Sequence, residues 1–335
     1  MFLKKRQYGV LAATAILLIL VIAFSVVATA ALRPHRDNYG CLWKQYLQEP
    51  ENSLDVLFLG TSIAYTDMIP AVIYRQSGLT SFSMAGPEQS MTESYYYLRE
   101  ATKTQSPKLV VLEVTGLLLD NEPDYDFINI DSMPQGLNRL QCMAQTVPSN
   151  EWIKYMFPLW VYHSRWAEVS EQEIRLQLEP ASPDLNGGWT VLREVKAFDS
   201  YEPKLETYTE KSFQTGAEAL RRIVDYCREQ DISLLLCMSP RCNVMKPETV
   251  EKLHALLDTL DADFADFDLM RDQIGIDDQT DFYDNSHLNV FGAEKFSCYL
   301  ADYFAQTYAI SPADAPSELW DARVQHYEDL RAALG

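Results

Sequence analysis

Two short stretches carry the residue types of a nucleophile and its base. Gly60-Thr61-Ser62 closes the apolar run LDVLFLG, and Asp284-Asn285-Ser286-His287 lies far toward the C-terminus. A serine hydroxyl attacks a carbonyl effectively only when an adjacent general base takes its proton. His287 is the candidate base. Asp284, three residues earlier, has the reach to accept from the imidazole, fix its tautomer and stabilise the imidazolium. The chemistry expected is acyl transfer through Ser62. A serine at a strand-to-helix turn also leaves backbone N–H groups free for a developing oxyanion. Neither stretch is specific alone, since strand-to-helix turns often contain serine and an Asp-x-x-His can simply cap a helix. Their order, at opposite ends of an alternating pattern, is the informative feature.

The elements that must position these residues read as an α/β chain. DVLFLG and KLVVLEV are continuous apolar runs of strand length, as expected for strands covered on both faces. TSFSMAG reads as a short strand ending on Gly86, ISLLLCMS as another strand, and DFADF as a short edge strand. Between them lie helical patterns. DMIPAVIYRQSG has a proline near its start and Gly78 as its stop, and SMTESYYYLREATKTQ carries Ser90 and Glu93 at capping-box spacing. GAEALRRIVDYCREQ, ETVEKLHALLDTL and GAEKFSCYLADYFAQTY follow. Short links between alternating strands and helices imply parallel pairing through right-handed crossovers. The expected fold is a three-layer α/β/α domain over residues 54–310 with a parallel, flavodoxin-like sheet. A helical and irregular insertion spans 115–205, and a further helix spans 311–335.

In doubly wound sheets ligands bind beyond the carboxyl ends of the strands, which is where GTS, AGPEQS and the DNSH loop fall. On these residues the chain resembles the SGNH/GDSL hydrolase superfamily. The likeness rests on a GxS turn after the first strand, a glycine after the second, and a DxxH before the last long helix. The resemblance implies a Ser62–His287–Asp284 triad, with Gly86 and the Ser62 amide receiving the oxyanion. It departs from the family at two places. Thr61 stands where the family usually has aspartate before the serine. LEVTG follows the third strand where the family has GxND, whose asparagine donates into the oxyanion hole. Gln89 or Thr115 is the expected substitute, because an ionised Glu113 cannot donate. Thr61, His163 and Arg165 are carried as substrate-binding candidates, the last two for an anionic acyl donor or polymer. A packed, hydrogen-bonded histidine is the plainer reading of His163 within WVYHSRW. A metal on Asp281, Asp284 and His287 lacks further clustered ligands, and neither metal nor cofactor is expected.

The N-terminus sets the compartment. Residues 1–7 form a basic tip with Lys4, Lys5 and Arg6, and residues 8–32 carry no charge, a length sufficient to cross a bilayer. The expected topology is a single-pass anchor with a cytoplasmic N-terminus, a connector over 33–53, and an extracytoplasmic body. The rival is a cleaved signal peptide with Ala28-Thr29-Ala30 as its site. The apolar run exceeds the usual signal core of about 7–15 residues, which favours the anchor. The resemblance extends to the family's membrane-tethered bacterial branch, which includes proteins of teichoic-acid D-alanylation and polysaccharide O-acetylation. It implies a cell-envelope polymer or acyl ester as substrate and a membrane acyl donor as partner.

A net charge of −20 argues against nucleic acid and anionic membrane surfaces as partners. Six cysteines at 41, 142, 227, 237, 242 and 298 lack paired spacing and read as scattered thiols, with Cys237–Cys242 the one conceivable bridge. Two rival functions remain at this stage. One is a catalytically inactive member of the fold that binds or scaffolds envelope polymer, and the other is a lipase or thioesterase on membrane lipids.

Overall fold

The continuous apolar runs become one parallel sheet. The computed structural model describes residues 2–34, 40, 43–204 and 206–334, so His35 and Cys41 lie outside the described residues. Among these, seven strands form: β1 (Val56–Leu59), β2 (Ser81–Ser83), β3 (Leu109–Glu113), β4 (Glu202–Pro203), β5 (Ser233–Met238), β6 (Asn243–Val244) and β7 (Asp263–Asp266). Five of them pair in the order β2-β1-β3-β5-β7, every neighbour parallel. With the two-residue strands set aside this is the 2-1-3-4-5 flavodoxin-like order, and its switch point lies between β1 and β3. β4 and β6 form a separate parallel pair.

Burial explains why these strands read as unbroken hydrophobic runs. Every residue of β1 and β3 is buried. Val56, Phe58, Val111 and Leu235 share one core with Val72, Phe296, Leu300, Phe304 and Tyr327, which come from the helices Pro70–Ser77, Val290–Thr307 and Ser317–Ala332. The alternate residues, such as Leu57, Val110 and Leu236, are equally buried and point to the opposite face. The helices Met91–Ala101, Leu137–Thr146 and Glu210–Glu229 pack against one another as a second group. Local signals held where they were strongest. Ser90 and Glu93 form the reciprocal capping box, and Gly78 stops its helix with φ 75°. Cys237 and Cys242 are unbridged, and Cys142, Cys227 and Cys298 are also free thiols.

The chain divides into two units. One holds residues 1–36 with 148–180, and the other holds 37–147 with 181–335. The region 115–205 is therefore split: its helices Pro123–Ser132 and Leu137–Thr146 belong with the sheet, while 148–180 belongs with the N-terminal helix Phe2–Leu32. Residues Gln7–Leu32 of that helix are long and apolar enough to cross a membrane; a signal sequence has the same signature.

Gly60 sets the exit from β1. Its φ is 137°, and a Cβ there would meet the Glu113 Cβ at 2.9 Å and the Glu113 carbonyl oxygen at 3.0 Å. Both the backbone conformation and the neighbouring strand demand glycine. Gly60→Ala is expected to cost about 1–3 kcal/mol, read as a lower melting temperature; an unchanged melting temperature would contradict this account of the turn.

Candidate active site

The turn after β1 delivers Ser62 as the first residue of a short helix, Ser62–Asp67, capped by Thr61. From the other end of the chain, Asp284 organises its own turn: its Oδ1 accepts from the backbone N–H groups of Ser286 at 2.7 Å and His287 at 2.9 Å. The same carboxylate lies 2.9 Å from His287 Nδ1. His287 Nε2 lies 2.8 Å from Ser62 Oγ. With Nδ1–H donating to Asp284, Nε2 is left as the acceptor for the Ser62 hydroxyl. Ser62, His287 and Asp284 thus form one hydrogen-bonded chain at the carboxyl end of the sheet, beside the switch point.

Two further ties hold the histidine loop in place. The Leu288 N–H donates to Asp67 Oδ1 at 3.1 Å, linking the loop to the helix that bears Ser62. The Asn285 carbonyl accepts from the Cys242 N–H at 3.0 Å and from Asn243 Nδ2 at 2.7 Å. Asp67 was not picked out from the sequence. It is fully buried, and Thr66 Oγ1 donates to its Oδ1 at 2.8 Å while Oδ2 has no partner. Burial drives the Asp67 carboxyl up to about 8, against opposing pulls from His287, Thr66 and the Leu288 N–H.

The electrostatics suit a base. Burial alone would lower the His287 pKa, but the hydrogen bond and charge of Asp284 leave it above its ordinary 6.5. For Asp284, burial opposes ionisation, yet His287 and the two backbone N–H groups hold it below the usual carboxylate range.

Other expected residues take different roles. Thr61 is buried and turned inward; its hydroxyl accepts from the Ile63 N–H at 3.4 Å and donates to Glu113 Oε2 at 3.4 Å, so its polar atom is committed to the turn. Gln89 is fully buried, and its Nε2 donates to the Met84 carbonyl at 3.3 Å and Ser94 Oγ at 3.0 Å. It braces the loop and is not aimed as an oxyanion donor. Thr115 likewise donates its hydroxyl to Glu113 Oε1. The backbone N–H groups of Ser62 and Gly86 have no acceptor among the described residues, which leaves them as the candidate oxyanion donors.

Gly86 is glycine for a reason the sequence did not display. A Cβ there would lie 2.2 Å from Asn129 Oδ1, and Asn129 Nδ2 in turn donates to the Pro87 carbonyl at 3.0 Å. His163 and Arg165 lie in the other unit. His163 Nδ1 pairs with the Trp160 carbonyl at 2.8 Å, and Arg165 binds the Leu32 carbonyl and Glu173, each at 2.6 Å. Asp281 is paired with Lys295 Nζ at 2.6 Å.

One cation went unnoticed in the sequence. The β4–β6 pair carries Lys204, whose N–H donates to the Val244 carbonyl at 2.8 Å, to a cavity of about 10 Å³. Ile63, Glu113, Thr115, Asn243 and Ser286 also line it, and its volume suits about one water. Burial lowers the Lys204 pKa to about 8, against the pull of Glu113. Burial also raises Glu113, with Thr115, Lys204 and Thr61 opposing.

Comparison with known proteins adds little to this geometry. No protein-family model matches the chain, and no curated protein matches it. Among solved structures it is similar to a chain from Bacteroides fragilis NCTC 9343, provisionally described as an acylhydrolase. The two share 11% identity with a TM-score of 0.37, covering 79% of this chain and 94% of that one.

The raised Asp67 carboxyl has a consequence for stability. The folded state holds a proton up to about pH 8 that the unfolded state releases near 3.8. The stabilisation from that group is therefore complete below 3.8 and is lost as pH rises toward 8. Asp67→Asn, neutral at every pH, is expected to flatten the fall in melting temperature between pH 5 and pH 8. Equal slopes for the two proteins would show that Asp67 is ionised when folded.

Proposed function

We propose that this protein is a serine esterase or O-acyltransferase of the SGNH/GDSL type, anchored by its N-terminal helix and acting outside the cytoplasm on cell-envelope glycan or teichoic acid. The observation that carries the reading is the hydrogen-bonded chain from Ser62 Oγ through His287 to Asp284, at 2.8 and 2.9 Å.

In this reading His287 takes the Ser62 proton as Oγ attacks the ester carbonyl, and Asp284 stabilises the imidazolium that forms. The N–H groups of Ser62 and Gly86 receive the oxyanion. Collapse of the tetrahedral intermediate expels the alcohol, which takes its proton from His287 and leaves an acyl group on Ser62. Water or a polymer hydroxyl, deprotonated by His287 in turn, then accepts that group. The cell-envelope substrate and the anchored, extracytoplasmic placement rest on the resemblance of motifs and on the apolar N-terminal helix.

A second reading has one observation in its favour. The side chains expected to replace the family's oxyanion asparagine, Gln89 and Thr115, are both engaged elsewhere. Removing one oxyanion donor costs an enzyme about 10²–10³ in rate. A protein of this fold that only binds envelope polymer would have no use for such a donor.

Hydrolysis of p-nitrophenyl acetate by the full-length protein separates the two. Ser62→Ala and His287→Ala are each expected to lower kcat by at least about 10³-fold, with the double variant no worse than either alone. The acid limb of kcat/KM is expected above pH 6.5, because a His287 with raised pKa must lose its proton to act. Asp284→Asn should move that limb down and cut the rate by about 10³–10⁴. Turnover that survives Ser62→Ala would remove the serine mechanism.

A further inference from the structure

Residues 148–180 contain a run of exposed apolar side chains that no catalytic role absorbs. Trp152, Met156 and Trp160 recur at four-residue spacing, and Ile153, Phe157 and Val161 run beside them. Trp152, Ile153 and Met156 lie on the helix Trp152–Met156 and Trp160 and Val161 on the helix Leu159–Tyr162, with Phe157 at the break between them. Trp160 is 66% exposed, Phe157 59% and Ile153 51%, and Trp166 in the following turn is 75% exposed. Tyr155 and Tyr162, on the other side, are buried. Clustered exposed aromatics of this kind mark an interaction surface.

The same unit says what covers them. The helix Phe2–Leu32 packs against Leu159–Tyr162, His163–Ala167 and Glu171–Leu178. Arg165 ties the two together by donating to the Leu32 carbonyl at 2.6 Å. The 26 residues Gln7–Leu32 span about 39 Å at the helical rise, whereas a hydrocarbon core is about 30 Å thick. With Gln7, next to the basic tip, at the inner edge of the core, the last ~6 residues emerge at headgroup level. It is residues 28–32 that are partly covered, while 7–24 are exposed throughout. The aromatic patch thus sits at the depth where tryptophan side chains partition, apolar ring toward the chains and N–H toward the headgroups.

We propose that residues 148–180 form an interfacial platform that inserts Phe157, Trp160 and Trp166 into the outer surface of the bilayer, a second membrane contact beside the anchor. This rests on the anchor reading. The segment carries three basic and five acidic residues, so its binding is driven by apolar insertion and does not require anionic lipid.

The tryptophans provide the test. Trp43, Trp189 and Trp320 are buried, whereas Trp152, Trp160 and Trp166 are exposed. Full-length protein is reconstituted in phosphatidylcholine vesicles whose acyl chains carry bromine near the headgroup end. The expected result is loss of part of the tryptophan emission relative to unbrominated lipid. A Trp152→Phe/Trp160→Phe/Trp166→Phe variant with an unchanged melting temperature should lose that quenching. Adding Leu18→Trp to this variant, in vesicles brominated near the ends of the acyl chains, reports on the span itself, because Leu18 lies near the middle of the apolar helix. If the Leu18→Trp reporter is quenched but the three native tryptophans are not, the patch faces water or another protein and the platform is overturned. If the reporter is also unquenched, the anchor reading fails and the platform falls with it.

Discussion

His287 has to meet Ser62 across 225 residues of chain, and one 2.8 Å hydrogen bond is the point at which both ends of the fold converge. Everything around it limits the freedom of that contact. Gly60 turns the chain sharply at the end of β1, so that Ser62 begins a helix instead of continuing the strand. Asp284 fixes the histidine turn with two backbone hydrogen bonds before it touches the ring, so the ring orientation follows from the loop geometry. Asp67, five residues after Ser62, holds the Leu288 N–H and closes the circuit between the two loops. Such a cage restricts rotation of both side chains, which is what a positioned nucleophile requires.

The charge arrangement follows from the same enclosure. Three carboxyl groups surround the imidazole, and their environments differ. Asp284 is bonded to N–H donors and stays ionised. Asp67 is buried with one oxygen unpartnered, and it keeps its proton to about pH 8. Glu113 is surrounded by two threonines and the ammonium of Lys204. Carboxyls pushed apart in this way can play different parts in one site, one countering the imidazolium and the others fixing structure.

Much of this was legible in the sequence, for identifiable reasons. Strands covered on both faces betray themselves as VLFL and LVVLE, and the Ser90–Glu93 box and Gly78 stop are local codes. The contact of Ser62 with His287 and Asp284 was legible because the Asp284–His287 spacing is local and the strand order brings Ser62 to the same edge. What escaped depends on partners distant in sequence. Thr61 and Gln89 looked free to meet substrate, and only the tertiary structure shows their polar atoms committed to Glu113, Met84 and Ser94. Asp67 resembled any helix-end carboxylate until its burial against the histidine loop appeared. Lys204 reaches its cavity through a two-residue strand pair too short to leave a periodic signal. The split of 115–205 between two units was equally hidden, since the whole stretch reads as one helical and irregular insertion until the exposure of WIKYMFPLWVY beside the N-terminal helix is seen.

The central claim is that Ser62 is a nucleophile activated by His287. It is tested most directly by treating the full-length protein with a fluorophosphonate and mapping the adduct by peptide mass spectrometry. The account predicts a single adduct on Ser62, absent from Ser62→Ala and suppressed in His287→Ala at equal melting temperature. A folded protein that stays unmodified, or one labelled at another residue, would contradict it.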